Sequence, residues 1–180
     1  MAGRAPAPRS HPRGGLNARF GVVAARFNEP IVKKLVDGAV AALTSGGVAP
    51  SAIDIHWVPG SFELPLAAQH LATSGRYAGI ACVGVVIRGE TPHYEHVARE
   101  AAAGIRSVGL ATRVPVAFGL ITALTEEQAW ARAGGTVGNR GAEAAEAVLE
   151  MAHFLATTPS RSAAAPRPRR ARSAPRRRTR

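Results

Sequence analysis

Short apolar runs alternate with helix-like segments along most of this 180-residue chain, and this alternation constrains its fold more than any other feature. The apolar runs, which are rich in β-branched residues, predict strands at 20–25, at 52–58, within 77–87 and at 114–121. The remaining segments predict helices at 31–43, 63–73, 92–107, 126–132 and 140–156. Strands that alternate with helices of this length form βαβ units. We therefore predict the α/β class, as a three-layer α/β/α sandwich around a four-stranded parallel sheet.

The loops at one edge of such a sheet are the expected binding region, because ligands of open parallel sheets bind beyond the carboxyl ends of the strands. In the predicted fold, these loops cover residues 26–29, 59–63, 88–93 and 122–125. Three of them contain combinations of aromatic, charged and turn-forming residues that are unusual for simple connections. Candidate binding side chains are therefore expected there.

The most informative loop lies within residues 82–97, CVGVVIRGETPHYEHV, where an apolar strand runs through Arg-Gly into a helix start. Thr91 is suited to the N-cap and Pro92 to the first helical position, which predicts free backbone donors at the positive end of a helix dipole. A helix start of this kind binds anions, and an imidazole such as that of His93 in its first turn can move protons near neutral pH. On these residues alone, a surface histidine without a chemical role is the simpler alternative.

The same segment also has the glycine spacing of a nucleotide-binding P-loop. Gly84 and Gly89 form the pattern G-x-x-x-x-G. A P-loop has a lysine directly after the second glycine, where it contacts the phosphates. Glu90 occupies that position, so the sequence excludes a P-loop.

Aromatic residues and a polar turn supply further candidates. Phe27, in the loop after the first strand, is either a hydrophobic plug or a stacking surface for a flat ligand. The segment 59–63, PGSFE, places the Glu63 carboxylate and free backbone amides at a helix start, which suits a polar heterocycle or a polyol. Helix capping by Ser61 explains the same turn equally well. Phe118, on the fourth predicted strand, is expected by its position to be a core residue.

Metal binding and lysine chemistry receive less support from the sequence. His93 and His96 are three residues apart on a predicted helix, but no third ligand follows at an obvious spacing. Lys33 and Lys34 are the only lysines, which argues against an enzyme-bound lysine imine, so the substrate would have to bring the amine.

Arg132 can form a bidentate contact with phosphate, and an exposed helical arginine is the default alternative.

The positive charge of the chain lies at its two ends. The net charge is +11, and residues 1–19 carry four arginines and residues 156–180 carry nine, with no acidic residue in either segment. The residues between them carry 10 basic and 12 acidic side chains. We predict a disordered basic arm at 1–19, one folded domain at 20–156 and a disordered Arg-rich tail at 157–180. The tail is suited to non-specific polyanion binding but lacks interleaved aromatic residues for base stacking.

Cysteine content and hydropathy predict the compartment. The single cysteine, Cys82, lies in an apolar strand, where core packing is its expected role and no internal disulfide can form. No apolar run of signal-peptide length precedes Phe20, and no stretch is apolar enough to span a bilayer. We predict a soluble cytoplasmic protein without a membrane partner.

Six motifs, taken in order, resemble a known family. They read ARFNEPIVKKLVDGA, WVPGSFELPLAA, GVVIRGETPHYEHVAREAAAGI, PVAFGLIT, EEQAWARAGG and GNRGAEAAEAVLEMA. The chain resembles the 6,7-dimethyl-8-ribityllumazine synthases, the riboflavin synthase beta-chain family, over roughly residues 20–155. Several independent motifs make the resemblance specific. It implies a flavodoxin-like fold and a transferase of riboflavin biosynthesis.

The resemblance also implies a reaction. Members of this family condense 5-amino-6-(D-ribitylamino)uracil with 3,4-dihydroxy-2-butanone 4-phosphate to 6,7-dimethyl-8-ribityllumazine, releasing phosphate and water. The implied steps are formation of an imine, elimination of phosphate and ring closure. Because the substrates contain the amine, the ketone and the leaving group, positioning alone can lower the barrier by an amount on the order of several kcal/mol. No metal or organic cofactor is then expected.

Matched residue by residue, the resemblance implies a site with two halves. The implied pyrimidine- and ribityl-binding residues are Phe27, Ser61, Phe62, Glu63, Val85, Val86, Ile87 and Phe118. The implied phosphate-binding residues are Glu90, Thr91 and Arg132, and His93 is the implied catalytic proton-transfer residue. These assignments agree with an anion site at a helix start beside a general acid.

Three positions depart from the family pattern. Glu95 stands where aspartate is frequent, His96 where tyrosine is usual, and Arg140 where lysine is common. The first is a conservative change. His96 places a second imidazole one turn from His93, where it can alter the behaviour of His93 or only occupy the surface.

The resemblance implies a homo-oligomer with active sites between neighbouring subunits. Family members form pentamers, and some form 60-subunit shells. The connection 134–141, GGTVGNRG, is short, so both the pentamer and the 60-mer stay open, as does an association with riboflavin synthase. Two alternatives of other classes remain. One is a ligand-binding or shell-forming protein without turnover, and the other is a nucleic-acid-binding protein that acts through the Arg-rich tail.

Overall fold

A sheet of four parallel strands forms the centre of the computed structural model, which describes residues 18–158. The strands are β1 (Arg19–Ala25), β2 (Ile53–Val58), β3 (Tyr77–Ile87) and β4 (Val116–Ala123). Their spatial order is β2-β1-β3-β4, and all three pairings are parallel. The predicted four-stranded parallel sheet is confirmed.

Five helices and a short hairpin connect these strands. The helices are α1 (Glu29–Ser45), α2 (Leu64–Thr73), α3 (His93–Thr112), α4 (Glu126–Ala131) and α5 (Arg140–Thr157), and single 3-10 turns form at Pro50–Ala52 and Ser61–Glu63. The antiparallel hairpin of β5 (Ala133–Gly135) and β6 (Gly138–Asn139) joins α4 to α5. The sequence does not predict this hairpin, because its glycine-rich strands lack an alternating apolar pattern. None of the helices within residues 18–158 is long and apolar enough to cross a membrane.

The helices cover both faces of the sheet and complete three layers. Helices α1 and α5 pack on one face, over a core that includes Val22 and Val83. Helices α2 and α3 pack on the other face, over a core that includes Val23 and Cys82. Successive strand residues point to opposite faces, so a strand covered on both sides is apolar without alternation. The predicted α/β/α sandwich is confirmed.

Cys82 lies inside this core, as its apolar neighbours predicted. The residue is fully buried in β3, and burial raises the pKa of its thiol to about 12. The thiol therefore stays protonated at neutral pH and packs as a small apolar group.

Helix α5 runs back along the sheet, from the carboxyl ends of the strands toward their beginnings. Near its start, Ala144 lies over Gly119 in the middle of β4, where an added Cβ would be 3.0 Å from Ala144 Cβ. One turn later, Val148 lies over Gly79 near the start of β3, where an added Cβ would be 2.2 Å from Val148 Cγ1. Both glycines allow the helix to approach the sheet closely. The end of α5 therefore lies at the edge of the sheet where the strands begin.

The start of α3 differs from its prediction by one residue. The helix begins at His93, and Pro92 is the residue that precedes its first turn. The Pro92 carbonyl accepts a hydrogen bond from the Glu95 amide at 2.9 Å, which tightens this turn. Thr91 lies one position further out and no side chain caps the helix, so the predicted N-cap role of Thr91 is wrong.

Phe118 also differs from its prediction. The side chain is 45% exposed, so the expectation that it lies in the core is wrong. The reason is its place in the sheet: β4 is an edge strand, and Phe118 opens onto a groove between α3 and α5.

The predicted basic arm and Arg-rich tail lie mostly outside the described residues. Within those residues, Arg19 begins β1 and Thr157 ends α5. The division of the chain into an arm, a domain and a tail stays a prediction.

Candidate active site

One cavity lies at the carboxyl edge of the sheet, where the binding loops were predicted to meet. Its volume is about 380 Å³, and it is formed by the loops after β1, β2 and β3 and by the first turns of α3. The predicted site residues that line it are Phe27, Ser61, Phe62, Glu63, Val85, Val86, Ile87, Thr91 and His93. The fold therefore brings most of the predicted site together within one chain.

The loop after β1 presents Phe27 to this cavity. The next residue, Asn28, has a left-handed backbone with φ 61°, which asparagine tolerates better than most residues. Its side-chain amide donates to the Val85 carbonyl at 3.3 Å, and its own carbonyl accepts from the amides of Ile31 and Val32. The loop is thus tied to both β3 and α1. The Phe27 ring is 72% exposed and is not a hydrophobic plug, which leaves it open as a stacking surface.

Ser61 supplies an unusual polar group to the cavity. The residue is 5% exposed, and its hydroxyl has no hydrogen-bond partner among the described residues. No side chain caps the 3-10 turn or α2, so the alternative of helix capping by Ser61 is wrong. Gly84 of β3 makes room for the hydroxyl, because a Cβ there would lie 2.9 Å from Ser61 Oγ. A buried hydroxyl without a partner is costly, which makes Ser61 a candidate for bonding to a ligand.

The first turns of α3 form the opposite wall. His93 is exposed at the first helical position, and no side chain caps this helix start, so no capping side chain competes with an anion for its outermost amides. Tyr94 also lines the cavity, and its hydroxyl donates to the Glu95 carboxylate at 3.1 Å. This hydrogen bond raises the pKa of the Tyr94 hydroxyl.

Three residues of this region were not predicted from the sequence. Tyr94 and Val97 line the cavity, and Asn28 holds the Phe27 loop in place. For Val97 the available signal was its spacing of four residues from His93, and for Tyr94 its spacing of three residues from Val97, since residues three and four apart share a helix face. An asparagine directly before Glu-Pro at a helix start was the available signal for Asn28.

Three predicted site residues lie outside the cavity of a single chain. Glu90 is exposed in the loop before α3 and does not line it. Phe118 lines the separate groove of about 690 Å³ between α3, α5 and β4. Arg132 follows α4, and its guanidinium donates to the Gln128 carbonyl at 3.0 Å. Within one chain, the structure does not bring Arg132 into the cavity that Thr91 lines.

The hairpin that follows Arg132 is anchored by Asn139. The Asn139 side-chain oxygen accepts from the amides of Gly141 and Ala142, at 2.9 and 3.0 Å, and so caps α5. Its side-chain nitrogen donates to the Lys34 carbonyl of α1 at 2.8 Å. One side chain therefore fixes the helix that follows the hairpin against α1.

Metal ligands are not clustered in the described part of the chain. Among residues 18–158, no group of three or more His, Cys, Asp or Glu side chains is placed to hold a metal ion. His93 and His96 are both exposed at the start of α3.

A family model described as 6,7-dimethyl-8-ribityllumazine synthase matches residues 17–156. The chain belongs to this family. The matched range contains every predicted site residue and the whole central sheet of this lumazine synthase family member. The resemblance inferred from six motifs is confirmed, and so is the flavodoxin-like fold. The family places the chain in riboflavin biosynthesis.

Two departures from the lumazine synthase pattern now have a structural setting. Arg140, at a position where lysine is common, forms an ion pair with Glu143 on the same turn of α5. Glu95 accepts the hydrogen bond from Tyr94 described above. Both side chains therefore have a partner within the chain, Arg140 at the start of α5 and Glu95 at the start of α3.

Proposed function

We propose that this chain condenses 5-amino-6-(D-ribitylamino)uracil with 3,4-dihydroxy-2-butanone 4-phosphate to 6,7-dimethyl-8-ribityllumazine, releasing phosphate and water. The observation that carries the proposal is the cavity that joins Phe27, Ser61 and His93 at the carboxyl edge of the sheet. An exposed aromatic ring, an unpaired buried hydroxyl and an imidazole around one cavity suit a flat polar heterocycle that reacts through its amine.

In this proposal, the pyrimidine lies between β1 and α2. Its ring stacks on Phe27, and its polar edge bonds to the Ser61 hydroxyl and to the turn that ends at Glu63. The ribityl chain follows residues 85–87 at the end of β3. Phe62, which is 60% exposed beside the same turn, adds apolar contact area.

The phosphorylated substrate binds at the start of α3. The uncapped helix start and the loop of Glu90 and Thr91 face the phosphate, which the positive end of the helix dipole attracts. His93 then lies beside the reacting atoms as the proton-transfer residue. Val97, one turn beyond His93 on α3, adds an apolar contact to the same cavity.

The reaction steps need little beyond positioning and proton transfer. The pyrimidine amine attacks the ketone, and His93 donates a proton as water leaves and the imine forms. Phosphate then departs from the four-carbon unit, again with proton transfer, and the second pyrimidine nitrogen closes the ring with loss of a second water. Holding both substrates in one cavity converts the first step into an effectively unimolecular reaction.

A neighbouring copy of the chain is proposed to supply Phe118 and Arg132. Both residues lie outside the single-chain cavity, and Phe118 opens onto an apolar groove on the exposed edge of the sheet. Two copies that meet at this edge would complete the pyrimidine pocket and the phosphate site. The pentamer, the 60-subunit shell, an association with riboflavin synthase and the cytoplasmic location stay predictions.

An activity assay with substituted chains tests this function. Purified protein mixed with the two substrates should form a fluorescent lumazine. His93→Gln, which keeps the shape of a polar side chain, should lower kcat by about 10²-fold or more. Arg132→Ala should raise KM for the phosphorylated substrate, and Arg132→Lys should recover part of this loss. A folded wild-type protein that forms no product would overturn the proposal, and tight binding of a ribityl-pyrimidine without turnover would then favour the binding-protein alternative.

Mixed oligomers test whether the site is shared between copies. The His93→Gln and Arg132→Ala chains, unfolded and refolded together, should show more activity than the mean of the two refolded separately. The reason is that some mixed interfaces then combine an intact His93 with an intact Arg132 from the other chain. Activity equal to that mean would show that both residues act within one chain.

A further inference from the structure

Gly89 lies on the wall of the candidate active-site cavity, in the loop that leads from β3 to α3. The residue before it, Arg88, still donates from its amide to the Ala123 carbonyl of β4 at 2.9 Å. Gly89 is thus the first residue of the loop that leaves the sheet. It ends the G-x-x-x-x-G spacing of residues 84–89, and the proposed reaction steps give it no role.

The fold itself does not require a glycine at this position. A glycine is usually needed where φ is positive or where a Cβ would be crowded. The φ of Gly89 is not positive, and a Cβ added there would have no heavy atom within 4 Å apart from its chain neighbours. Gly47 and Gly75 have equally open Cβ positions, but their φ values of 94° and 71° account for them. Within residues 18–158, no other glycine combines an open Cβ position with an ordinary φ.

The open space beside Gly89 belongs to a cavity that is suited to a ligand. Gly60, the other glycine of the cavity wall, differs from Gly89, because a Cβ there would lie 3.0 Å from Glu63 Oε2. The buried Ser61 hydroxyl lines the same cavity and has no hydrogen-bond partner among the described residues, which independently indicates a polar ligand. A ligand is therefore available to use the space that the missing Gly89 side chain leaves.

The place of Gly89 along the chain indicates which part of the ligand this is. Residues 85–87 before it line the part of the cavity proposed for the ribityl-pyrimidine, and Thr91 and His93 after it line the part proposed for the phosphorylated substrate. The four-carbon chain of that substrate has to reach from its phosphate to the pyrimidine amine. The Gly89 amide has no hydrogen-bond acceptor among the described residues, so it can donate to an oxygen of the substrate.

We propose that Gly89 is a specificity-determining residue, whose missing side chain lets the four-carbon chain of the phosphorylated substrate lie directly against the loop between β3 and α3. This inference rests on the proposed synthase function. Glycine allows a ligand to approach the backbone closely, and a methyl group at residue 89 would occupy the space of the carbon chain. The pyrimidine does not use this space, so only one of the two substrates is affected.

The lumazine assay with substituted chains tests this selectivity. Gly89→Ala should raise KM for the phosphorylated substrate by about 10-fold or more, and KM for the pyrimidine should stay unchanged. Gly89→Val should raise the first KM further. Gly75→Ala is the matched control, because Gly75 has an equally open Cβ position but does not line the cavity. It should leave both KM values unchanged.

Thermal unfolding of the same variants should show the reverse order. Gly75→Ala should lower Tm, because alanine disfavours a φ of 71°. Gly89→Ala should leave Tm unchanged or raise it, since the added methyl group meets no atom of the fold and stiffens the unfolded chain. A substitution that weakens one substrate without weakening the fold is not explained by a structural role.

Calorimetry without turnover separates this inference from the proposed function. Binding of 3,4-dihydroxy-2-butanone 4-phosphate alone should be about 10-fold or more weaker in Gly89→Ala than in wild type. Binding of inorganic phosphate should be equal in the two, because phosphate has no carbon chain. Wild-type protein that forms no lumazine would overturn the synthase function, and weaker binding in Gly89→Ala would then still support the role of Gly89.

Three outcomes would overturn the role of Gly89. Unchanged KM and unchanged binding in Gly89→Ala would show that the substrate does not use this space. Equal weakening of inorganic phosphate would place the phosphate group, and not the carbon chain, beside Gly89. A lower mass of Gly89→Ala in solution would show that a neighbouring chain occupies the space.

Discussion

The side-chain amide of Asn28 donates a hydrogen bond to the Val85 carbonyl at 3.3 Å and so ties the loop after β1 to the end of β3. These two strands are neighbours in the sheet, and both contribute to the candidate active site. The bond sets the position of Phe27, which directly precedes Asn28 in the loop after β1. The proposed stacking of a ligand on Phe27 therefore depends on this loop being held in place.

Substitutions of Asn28 should separate backbone conformation from side-chain bonding. Asn28→Ala loses the hydrogen bond and keeps a left-handed φ that alanine disfavours, so unfolding free energy should fall by about 2 kcal/mol. Asn28→Gly tolerates that φ and should lose about 1 kcal/mol from the missing bond alone. Urea unfolding measures both. If the proposed function holds, both variants should raise KM for the pyrimidine substrate, and equal stability of the two would contradict the role given to φ.

Ser61→Ala should have opposite effects on stability and on binding. The buried hydroxyl has no partner among the described residues, so its removal should leave the free energy of unfolding unchanged or raise it by up to about 1 kcal/mol. Binding of the ribityl-pyrimidine should weaken, because the ligand loses a hydrogen-bond partner. A clear loss of stability on thermal unfolding without ligand would show that the hydroxyl is already bonded within the protein.

Gly84→Ala tests whether the Ser61 hydroxyl needs the space that Gly84 leaves open beside it. The added Cβ would lie 2.7 Å from Leu120 Cδ1 and 2.9 Å from Ser61 Oγ, and overpacking of this kind costs about 1–3 kcal/mol. Combination with Ser61→Ala should recover only the part due to the hydroxyl. Full recovery in the double variant would show that the contact with Leu120 relaxes.

Asp54 should make stability depend on pH in the acidic range. The hydrogen bond from Arg19, together with that from the Tyr77 hydroxyl, lowers the pKa of Asp54 from 3.8 to about 2, against the effect of partial burial. Because the folded-state pKa lies below the unfolded one, the contribution is complete above the unfolded value. It is lost as the pH falls toward about 2.

Asp54→Asn measures this contribution. The variant should unfold with a free energy lower by about 1 kcal/mol at neutral pH, a value that allows for the solvent exposure of the pair, and the difference should shrink below the unfolded pKa. Tyr77→Phe retains the ring and removes the hydroxyl donor, so it should show a smaller effect in the same direction. A difference between Asp54→Asn and wild type that does not change from pH 7 to the acid range would contradict the pKa shift.

Asn139 substitutions should distinguish its two bonds. Asn139→Ala removes both the cap of α5 and the bond to the Lys34 carbonyl, and it should cost about 2 kcal/mol. Asn139→Asp retains the capping oxygen and loses the donor, so its effect on urea unfolding should be smaller. A loss for Asn139→Asp as large as that for Asn139→Ala would assign the stabilisation to the bond with α1.

Much of the fold follows from local sequence. Apolar runs predicted all four strands of the sheet within a few residues. In the two central strands, β1 and β3, the run is continuous because both faces are buried and no polar alternation is needed. Helix boundaries were less well predicted. Helix α3 extends to Thr112, five residues beyond its predicted end, and its start moves to His93 because Pro92 itself precedes the first turn.

The candidate site was predictable only in part. The loops that hold Phe27, Ser61 and His93 follow strands of one parallel sheet, so their meeting at one edge follows from strand order along the chain. The position of Phe118 could not be predicted in this way, because the sequence does not show that β4 is an edge strand that opens onto a groove. The roles of these residues in catalysis stay predictions.

The sequence by itself determined the order of strands and helices, the family and the two arginine-rich ends, because apolar periodicity, motifs and charge are local properties. The tertiary structure alone decided which distant groups meet. Asn28 and Val85 are 57 residues apart, and Asn139 and Lys34 are 105 apart, yet each pair forms a hydrogen bond.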